Sequence, residues 1–400
     1  MLSPVITPFR SACAALWFSV VALHAADTNA FFPLMAWNHA PSDAATFQKM
    51  RECGLTVAGF VSPRELDLCH AAGLRAIVSD PRASGYDWRQ VDEAQARKRL
   101  AELVAETAGH PAVYGYYLID EPNAALFPGL ARVASLIHEL APEKWAYINL
   151  FPNYASQAQL GNESYAAHLE DFIAKVKPTQ LSYDHYALMD DGSLRHGYWQ
   201  NLEAMRAAGL RHGLPFWNIV LSVAHFNYRE VSAADLRFQV YTTLAYGGRG
   251  LAYFTYFAPQ VGNYRAAPVD QFGNLTPTWA HLQNVNLQVG QLAPTLLQLR
   301  SDDVYHFGEV PTDCHGPGES SLVKAMNGPG FLAGDFTHTD GTRYVMIVNT
   351  DFVRSHHGAP QFRQPPKQVR MVSPYTGALV DFGGEQMWLA AGQGVLLRLD

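Results

Sequence analysis

Two adjacent carboxylates, Asp120 and Glu121, close the apolar run Val113-Tyr-Gly-Tyr-Tyr-Leu-Ile119 and are followed by Pro122. Mutual repulsion and partial burial both raise a carboxyl pKa, so one of the pair can keep its proton near neutral pH and act as a general acid. The same pair also has a structural use, Asp120 as a helix N-cap and Glu121 facing the helix dipole. The aromatic approach to the pair favours chemistry. Asp184, within Leu181-Ser-Tyr-Asp-His-Tyr186, is the best second carboxylate, because Ser182, Asp184 and Tyr186 share one strand face by the period of two. Its role turns on its distance from Glu121: about 5–5.5 Å suits a direct nucleophile and about 6.5–9.5 Å an inverting base.

Polar residues recur at the ends of the other apolar runs: Asn38 and His39, Ser62, Asp80, Asn149 and Asn153, His185, His225, Thr255 and Tyr256. Each has a structural use of its own, as a cap or a loop residue. Trp37, Tyr186, Trp217, Tyr253 and Tyr256 are the aromatics near run ends on which an apolar ligand face could stack, with Trp217, at a run's start, the first to be assigned to the core. His39, His185 and His225 show no metal-ligand spacing, so hydrogen bonding to hydroxyls is expected of them, with no metal and no cofactor.

The elements that must position these residues alternate. Strand-like apolar runs are expected over 31–37, 55–61, 76–79, 113–119, 145–150, 180–186, 216–223 and 250–257, with amphipathic stretches over 44–53, 64–72, 91–107, 124–140, 165–176, 194–208, 233–246 and 278–299. Ser232-Ala-Ala-Asp235 reads as a capping box, Pro277 as a first-turn proline behind Thr276, and Gly54, Gly73 and Gly209 as helix C′ residues. Eight strand–helix units predict a parallel sheet closed into a (β/α)8 TIM barrel, whose reacting groups belong at the strands' C-terminal ends. An open doubly wound sheet is the rival, but no Gly-rich phosphate turn follows an early strand. Beyond residue 300 the runs 344–348, 368–372 and 394–399, separated by Gly and Pro turns, predict a small C-terminal all-β, sandwich-like domain. The expected division is 1–26, 27–300 for the barrel and 301–400 for the β-domain.

The run Tyr117-Leu-Ile-Asp-Glu-Pro-Asn123 resembles the fourth-strand motif of (β/α)8 glycoside hydrolases, often written Asn-Glu-Pro. Its Asp-Glu-Pro form is closer to the β-N-acetylgalactosaminidases and, more distantly, the β-hexosaminidases. The resemblance implies that Glu121 is the acid/base and that Asp120 orients the substrate's own 2-acetamido group, which attacks as nucleophile. The Tyr-Asp pair at Asp184 is similar to the sixth strand of chitinases, which implies an acetamido clamp as a further role for Asp184. Asp270-Gln-Phe-Gly-Asn-Leu-Thr-Pro277 resembles a segment that often precedes the last barrel helix of such enzymes. The chain departs from the large Glu/Glu clan of retaining hydrolases at the seventh strand, where Trp217 to His225 contains no acid. Glu230, just beyond, is expected in a solvated loop.

Composition agrees with a globular protein that handles neutral ligands: 48% of residues are apolar, enough for a large core, and only 16% are charged. A net charge of −7 without any Lys/Arg run excludes nucleic acid as a partner class, and the implied partner is a carbohydrate. Arg10, the apolar stretch 12–23 and the small residues Ala25 and Ala26 read as a signal peptide, predicting export to the periplasm or the extracellular space. With that segment removed, no stable membrane insertion is expected. Cys53, Cys69 and Cys314 then remain, too few for a disulfide framework and better suited to burial. The leading expectation is a glycosidase that cleaves an O-glycosidic bond. A non-catalytic carbohydrate-binding barrel and a sugar lyase using Tyr186 or His225 as base are the alternatives.

Overall fold

The computed structural model describes residues 31–328 and 330–400; the expected signal segment lies outside them. Eight parallel strands form one sheet: β1 (Leu34–Ala36), β2 (Val57–Val61), β3 (Arg75–Val78), β4 (Val113–Asp120), β5 (Trp145–Asn149), β6 (Leu181–Asp184), β7 (Phe216–Leu221) and β8 (Gly250–Phe254). Their order is β5-β4-β3-β2-β1-β8-β7-β6. The sheet closes where the Leu150 N–H donates to the Ser182 carbonyl oxygen at 2.8 Å, beside a Leu150–Tyr183 bridge. The result is the predicted barrel.

Around it run α1 (Ala44–Glu52), α2 (Leu66–Ala71), α3 (Pro81–Ser84), α4 (Glu93–Thr107), α5 (Phe127–Leu140), α6 (Gln157–Leu160), α7 (Tyr165–Val176), α8 (Tyr198–His212), α9 (Ala233–Ala245) and α10 (Pro277–Leu296). Local chemistry sets their ends. The Ser232 hydroxyl accepts from the Asp235 N–H while Asp235 accepts from the Ser232 N–H, the reciprocal box that opens α9. Thr276 caps α10 ahead of Pro277. Gly54 and Gly73 take positive φ after their helices, as expected.

Gly209 does not. It is buried inside α8, which starts four residues later than its expected 194, because a Leu188–Leu194 bridge holds the preceding loop and Gly197 at φ 90° opens the helix. The left-handed residue that ends α8 is Gly213. The one-turn helices α3 and α6 were not anticipated; each rests on a side-chain cap, Asp80 and Ser156 respectively.

The strands of the C-terminal region are β9 (Leu299–Phe307), β10 (Val323–Met326), β11 (Phe331–His338), β12 (Arg343–Asn349), β13 (His356–His357), β14 (Pro360–Phe362), β15 (Val369–Val372), β16 (Leu379–Asp381), β17 (Trp388–Leu389) and β18 (Gly394–Leu399). Six form an antiparallel sheet, β16-β15-β18-β12-β11-β9, while β10-β14 and β13-β17 are separate two-stranded ladders. Alternation divides the sheet's residues between two cores. Leu332, Phe336, Met346, Val348 and Leu396 join the barrel's helical layer, and Phe331, Ala333, Val345, Ile347 and Leu397 meet Val323 and Leu389 of the short ladders. This is the sandwich-like arrangement expected.

The sheet lies close on α9. A Cβ at Gly334 would overlap the Ala245 carbonyl oxygen, and one at Gly394 would overlap the Tyr241 ring. Arg206 of α8 adds a polar tie, its guanidinium donating to the Ser301 hydroxyl and the Asp302 carbonyl oxygen, each at 2.9 Å. Cys53 and Cys69 are buried, where desolvation pushes their thiols up, Cys69 to about 12, while Cys314 is half-buried. Among the described residues, no helix is long and apolar enough to cross a membrane.

Candidate active site

The barrel's interior is unusually aromatic. Trp145 and Trp217 pack edge-on at 4.7 Å near its floor, and Trp217 stacks on Tyr114 at 5.9 Å. Trp217 is therefore core, at 1% exposure, and no ligand platform. Higher up, Trp37 packs against Phe60 and Phe254 and donates its Nε1–H to the Tyr147 hydroxyl at 2.8 Å.

That bond begins a chain with a single direction. An indole N–H can only donate, so the Tyr147 hydroxyl accepts from it and directs its own hydrogen to Ser182 Oγ, 3.1 Å away. Ser182 in turn donates to Asn149 Oδ1 at 2.9 Å. The carbonyl end of the Asn149 amide is thereby engaged, and its Nδ2 faces two acids, donating to Asp184 Oδ1 at 2.8 Å and Asp120 Oδ1 at 3.0 Å. Strands β4, β5 and β6, with the residue that follows β1, contribute to the chain. Period two on β5 stands Trp145, Tyr147 and Asn149 on one inner face, and on β6 does the same for Ser182 and Asp184.

Glu121 is placed by a local irregularity. The β4–β5 ladder pairs Tyr117 with Tyr147 but Ile119 with Ile148, so β4 carries one extra residue just before its end. Such bulges re-aim the side chains that follow. Asp120 then pairs with Asn149, and the Glu121 N–H donates to the Asn149 carbonyl oxygen at 2.9 Å. Glu121 has φ 46°, a conformation rare for a side chain of its size and further disfavoured before Pro122. Strain of this kind costs about 1–3 kcal/mol and collects at functional sites.

The three carboxylates share one electrostatic neighbourhood. Burial, then repulsion from Asp120, pushes Glu121 up to about 7. Asp120 is pushed up to about 6 by burial, offset in part by the Asn149 amide. Asp184 is raised well above the carboxylate range by burial and by the charges of Glu121 and Asp120. Asp184 is enclosed, at 5% exposure, whereas Asp120 and Glu121 are half-buried. The site can thus hold a proton at neutral pH and give it up at its open edge.

Aromatic rings wall the mouth. Tyr186 stacks on Phe254 at 5.5 Å and meets His225 edge-on at 5.6 Å; burial, then Asp184, raises its phenol. The His225 ring stacks on Tyr264 at 5.2 Å, its Nδ1 lies 3.1 Å from the Val223 carbonyl oxygen, and burial lowers its pKa. Asn38, at φ 85°, and the exposed His39 form the β1 side of the rim, the His39 ring 5.6 Å from Phe60.

Four expected site residues lie elsewhere. Asp80 caps α3 and pairs with Arg82 at 2.9 Å, which holds its carboxyl below the usual range. His185 points behind β6, its Nδ1 3.0 Å from Asn201 Oδ1 of α8, and burial holds it neutral with a pKa of about 4. Tyr253 faces α10 and donates to Asn286 at 2.6 Å, and Tyr256 accepts from Trp279 Nε1 at 3.0 Å; both are fully enclosed. For His185 and Tyr253 the cause is parity, since each is next to an inward residue and so faces the helices. Glu230 is exposed and pairs with Arg265 at 3.3 Å.

Tyr147, Phe254 and Tyr264 went unrecognised in the sequence. Tyr147 and Phe254 could have been found by counting two residues along β5 and β8 from Asn149 and Ala252, whereas Tyr264 sits in a long loop and has no periodic signal. Among the described residues, no group of three or more His, Cys, Asp or Glu side chains is disposed to hold a metal ion.

Fold and site define a (β/α)8 barrel with a carboxylate cluster at the C-terminal ends of its fourth and sixth strands. No family model matches the chain, and no curated protein matches it in sequence. Its fold is similar to that of a glycoside hydrolase family 5 protein from Bacteroides vulgatus, at 12% identity and TM-score 0.59, over 92% of this chain and 89% of that one. A second solved structure, described as a glycoside hydrolase, is similar at 13% identity and TM-score 0.57 over 92% and 93%. Against a β-galactosidase from a psychrophilic Marinomonas the identity is 12% and the TM-score 0.49, with 67% of this chain covering 62% of that one. At such identities the likeness is one of fold.

Proposed function

We propose that the protein is a glycoside hydrolase that cleaves O-glycosidic bonds of an oligo- or polysaccharide with Glu121 as general acid/base. The carrying observation is Glu121 itself, pushed up to about 7 at the end of β4 beside two carboxylates joined through the Asn149 amide. Two solved structures whose folds match 92% of this chain belong to proteins described as glycoside hydrolases, which supports the reading. Export through residues 1–26 belongs to the same proposal.

The two remaining acids have different access. A carboxylate nucleophile must reach the anomeric carbon, yet Asp184 is enclosed and Asp120 stands half-buried next to Glu121. This favours attack by the substrate's own 2-acetamido oxygen, with Asp120 orienting the acetamido group and Asp184 fixing Asp120 through Asn149. Glu121 then gives its proton to the leaving oxygen as the glycosidic C–O bond breaks and the acetamido oxygen bonds to the anomeric carbon. In the second step the Glu121 carboxylate takes a proton from water, whose oxygen bonds to the anomeric carbon as the acetamido C–O bond breaks. Burial keeps the Tyr186 phenol protonated and makes His225 a weak base, which disfavours elimination.

The test compares aryl 2-acetamido-2-deoxyglycosides with the matching glycosides bearing a 2-hydroxyl, in wild type and in Glu121→Gln. Wild type should prefer the acetamido series and Glu121→Gln should lose nearly all turnover. An unimpaired Glu121→Gln enzyme would sink the assignment. Azide rescue of Asp184→Ala but not of Asp120→Ala would transfer the nucleophile's role to Asp184.

A further inference from the structure

Phe226 is an apolar side chain on the rim that folding does not account for. It follows β7, is 71% exposed, and has φ 46°, a conformation that few large side chains adopt. Two hydrogen bonds hold it there: its N–H donates to Asn263 Oδ1 at 2.7 Å, and Asn263 Nδ2 donates back to the Phe226 carbonyl oxygen at 2.9 Å. Asn263 thus spends its whole side chain on fixing one exposed phenylalanine between two rim loops. A strained, clamped aromatic left mostly in solvent gains little for the fold.

Its position shows what it can serve. The Phe226 ring lies 5.0 Å from His225, and His225 lies 5.6 Å from Tyr186, which itself senses the charges of Asp184, Asp120 and Glu121. An unbroken row of rings therefore runs from the carboxylates outward to Phe226, with Tyr264 stacked along its side at 5.2 Å from His225. Centroid steps of 5.6 Å and 5.0 Å lead from Tyr186 through His225 to the exposed Phe226. The C–H face of a pyranose is the ligand surface that fits a flat, exposed aromatic next to a polar cleft.

We propose that Phe226, clamped by Asn263, is the platform of an outer subsite that stacks the sugar next to the one held at the carboxylates, so that the substrate is a chain of at least two sugars. The inference rests on the glycosidase reading and assigns Phe226 and Asn263 a role in holding its substrate. The test uses glycosyl fluorides, which carry one ring, against the corresponding di- and trisaccharides. Phe226→Ala should raise KM for the di- or trisaccharide tenfold or more and leave kcat/KM for the fluoride within twofold. Phe226→Trp should restore the longer substrates, and Asn263→Ala should reproduce the loss without removing a ring.

Equal effects of Phe226→Ala on fluoride and oligosaccharide, or none on either, would overturn the subsite while leaving the glycosidase reading intact. No turnover of fluoride or oligosaccharide by wild type would overturn both.

Discussion

Asn149 donates to Asp184 at 2.8 Å with the same amide nitrogen that reaches Asp120 at 3.0 Å. One neutral side chain thus spans acids from two different strands. Because Ser182 occupies its oxygen, the amide cannot turn over without placing a carbonyl against carboxylates.

Asn149→Ala should leave both acids without their shared donor. A hydrogen bond to a charged group is worth about 1.5–3 kcal/mol, so kcat/KM should fall about 10- to 100-fold. Steady-state kinetics with circular dichroism as a check on folding would test this. Tyr147→Phe, which breaks the chain two steps earlier, should give a smaller loss of the same kind.

Activity should follow a bell-shaped pH profile. Glu121 must carry its proton, so the rate falls as pH rises through about 7, and ionisation of Asp120 sets the acid side near 6. In Asp120→Asn the charge that helps to raise Glu121 is gone, so its pKa drops and the alkaline limb moves to lower pH. A kcat/KM profile between pH 4 and 9 would check both; an unmoved limb in Asp120→Asn would count against the coupling.

Glu121→Gln should lower kcat by about 10²- to 10⁴-fold, the usual contribution of a positioned acid/base. Its stability should change in the opposite sense. The folded-state pKa of Glu121 lies above its unfolded value, so its contribution is fully present below about pH 4.5 and is lost as pH rises through about 7. Gln has no such loss. Melting temperatures should coincide near pH 4, and the variant should melt roughly 2 °C or more above wild type at pH 8.

Gly334→Ala should destabilise the whole chain. The added Cβ would overlap the Ala245 carbonyl oxygen, which forces the sheet away from α9, and overpacking of this sort costs about 1–3 kcal/mol. Because the sheet and α9 share one apolar core, calorimetry should still show a single transition, shifted down. Two separated transitions would refute the shared core.

Much of this protein was legible in its residue order. Alternating apolar runs specified eight strand–helix units, since a half-buried helix and a buried strand each need their own period. The capping box at Ser232, the first-turn Pro277 and the C-terminal strands were equally local. So was the Asp120-Glu121 pair, whose neighbours along the chain are the same folded or unfolded. The sequence also indicated which residues end each strand, though inward or outward direction had to be inferred by parity.

Tertiary structure decided the rest. His185 and Tyr253 face the helices because one residue of offset turns a strand side chain to the other face, while Asp80 and Tyr256, just past their strands, are taken up by the α3 cap and by Trp279. Bulges defeat even that count, and the extra residue in β4 is what brings Asp120 level with Asn149. The proton-holding power of Glu121 is likewise not a property of its sequence position. It comes from burial and from the charge of Asp120 beside it, and the Asn149 bridge joins residues that stand 29 and 35 positions apart in the chain. Covalent order settles types and periods, whereas a pKa and a bridging hydrogen bond depend on distances through space, which exist only once the barrel has closed.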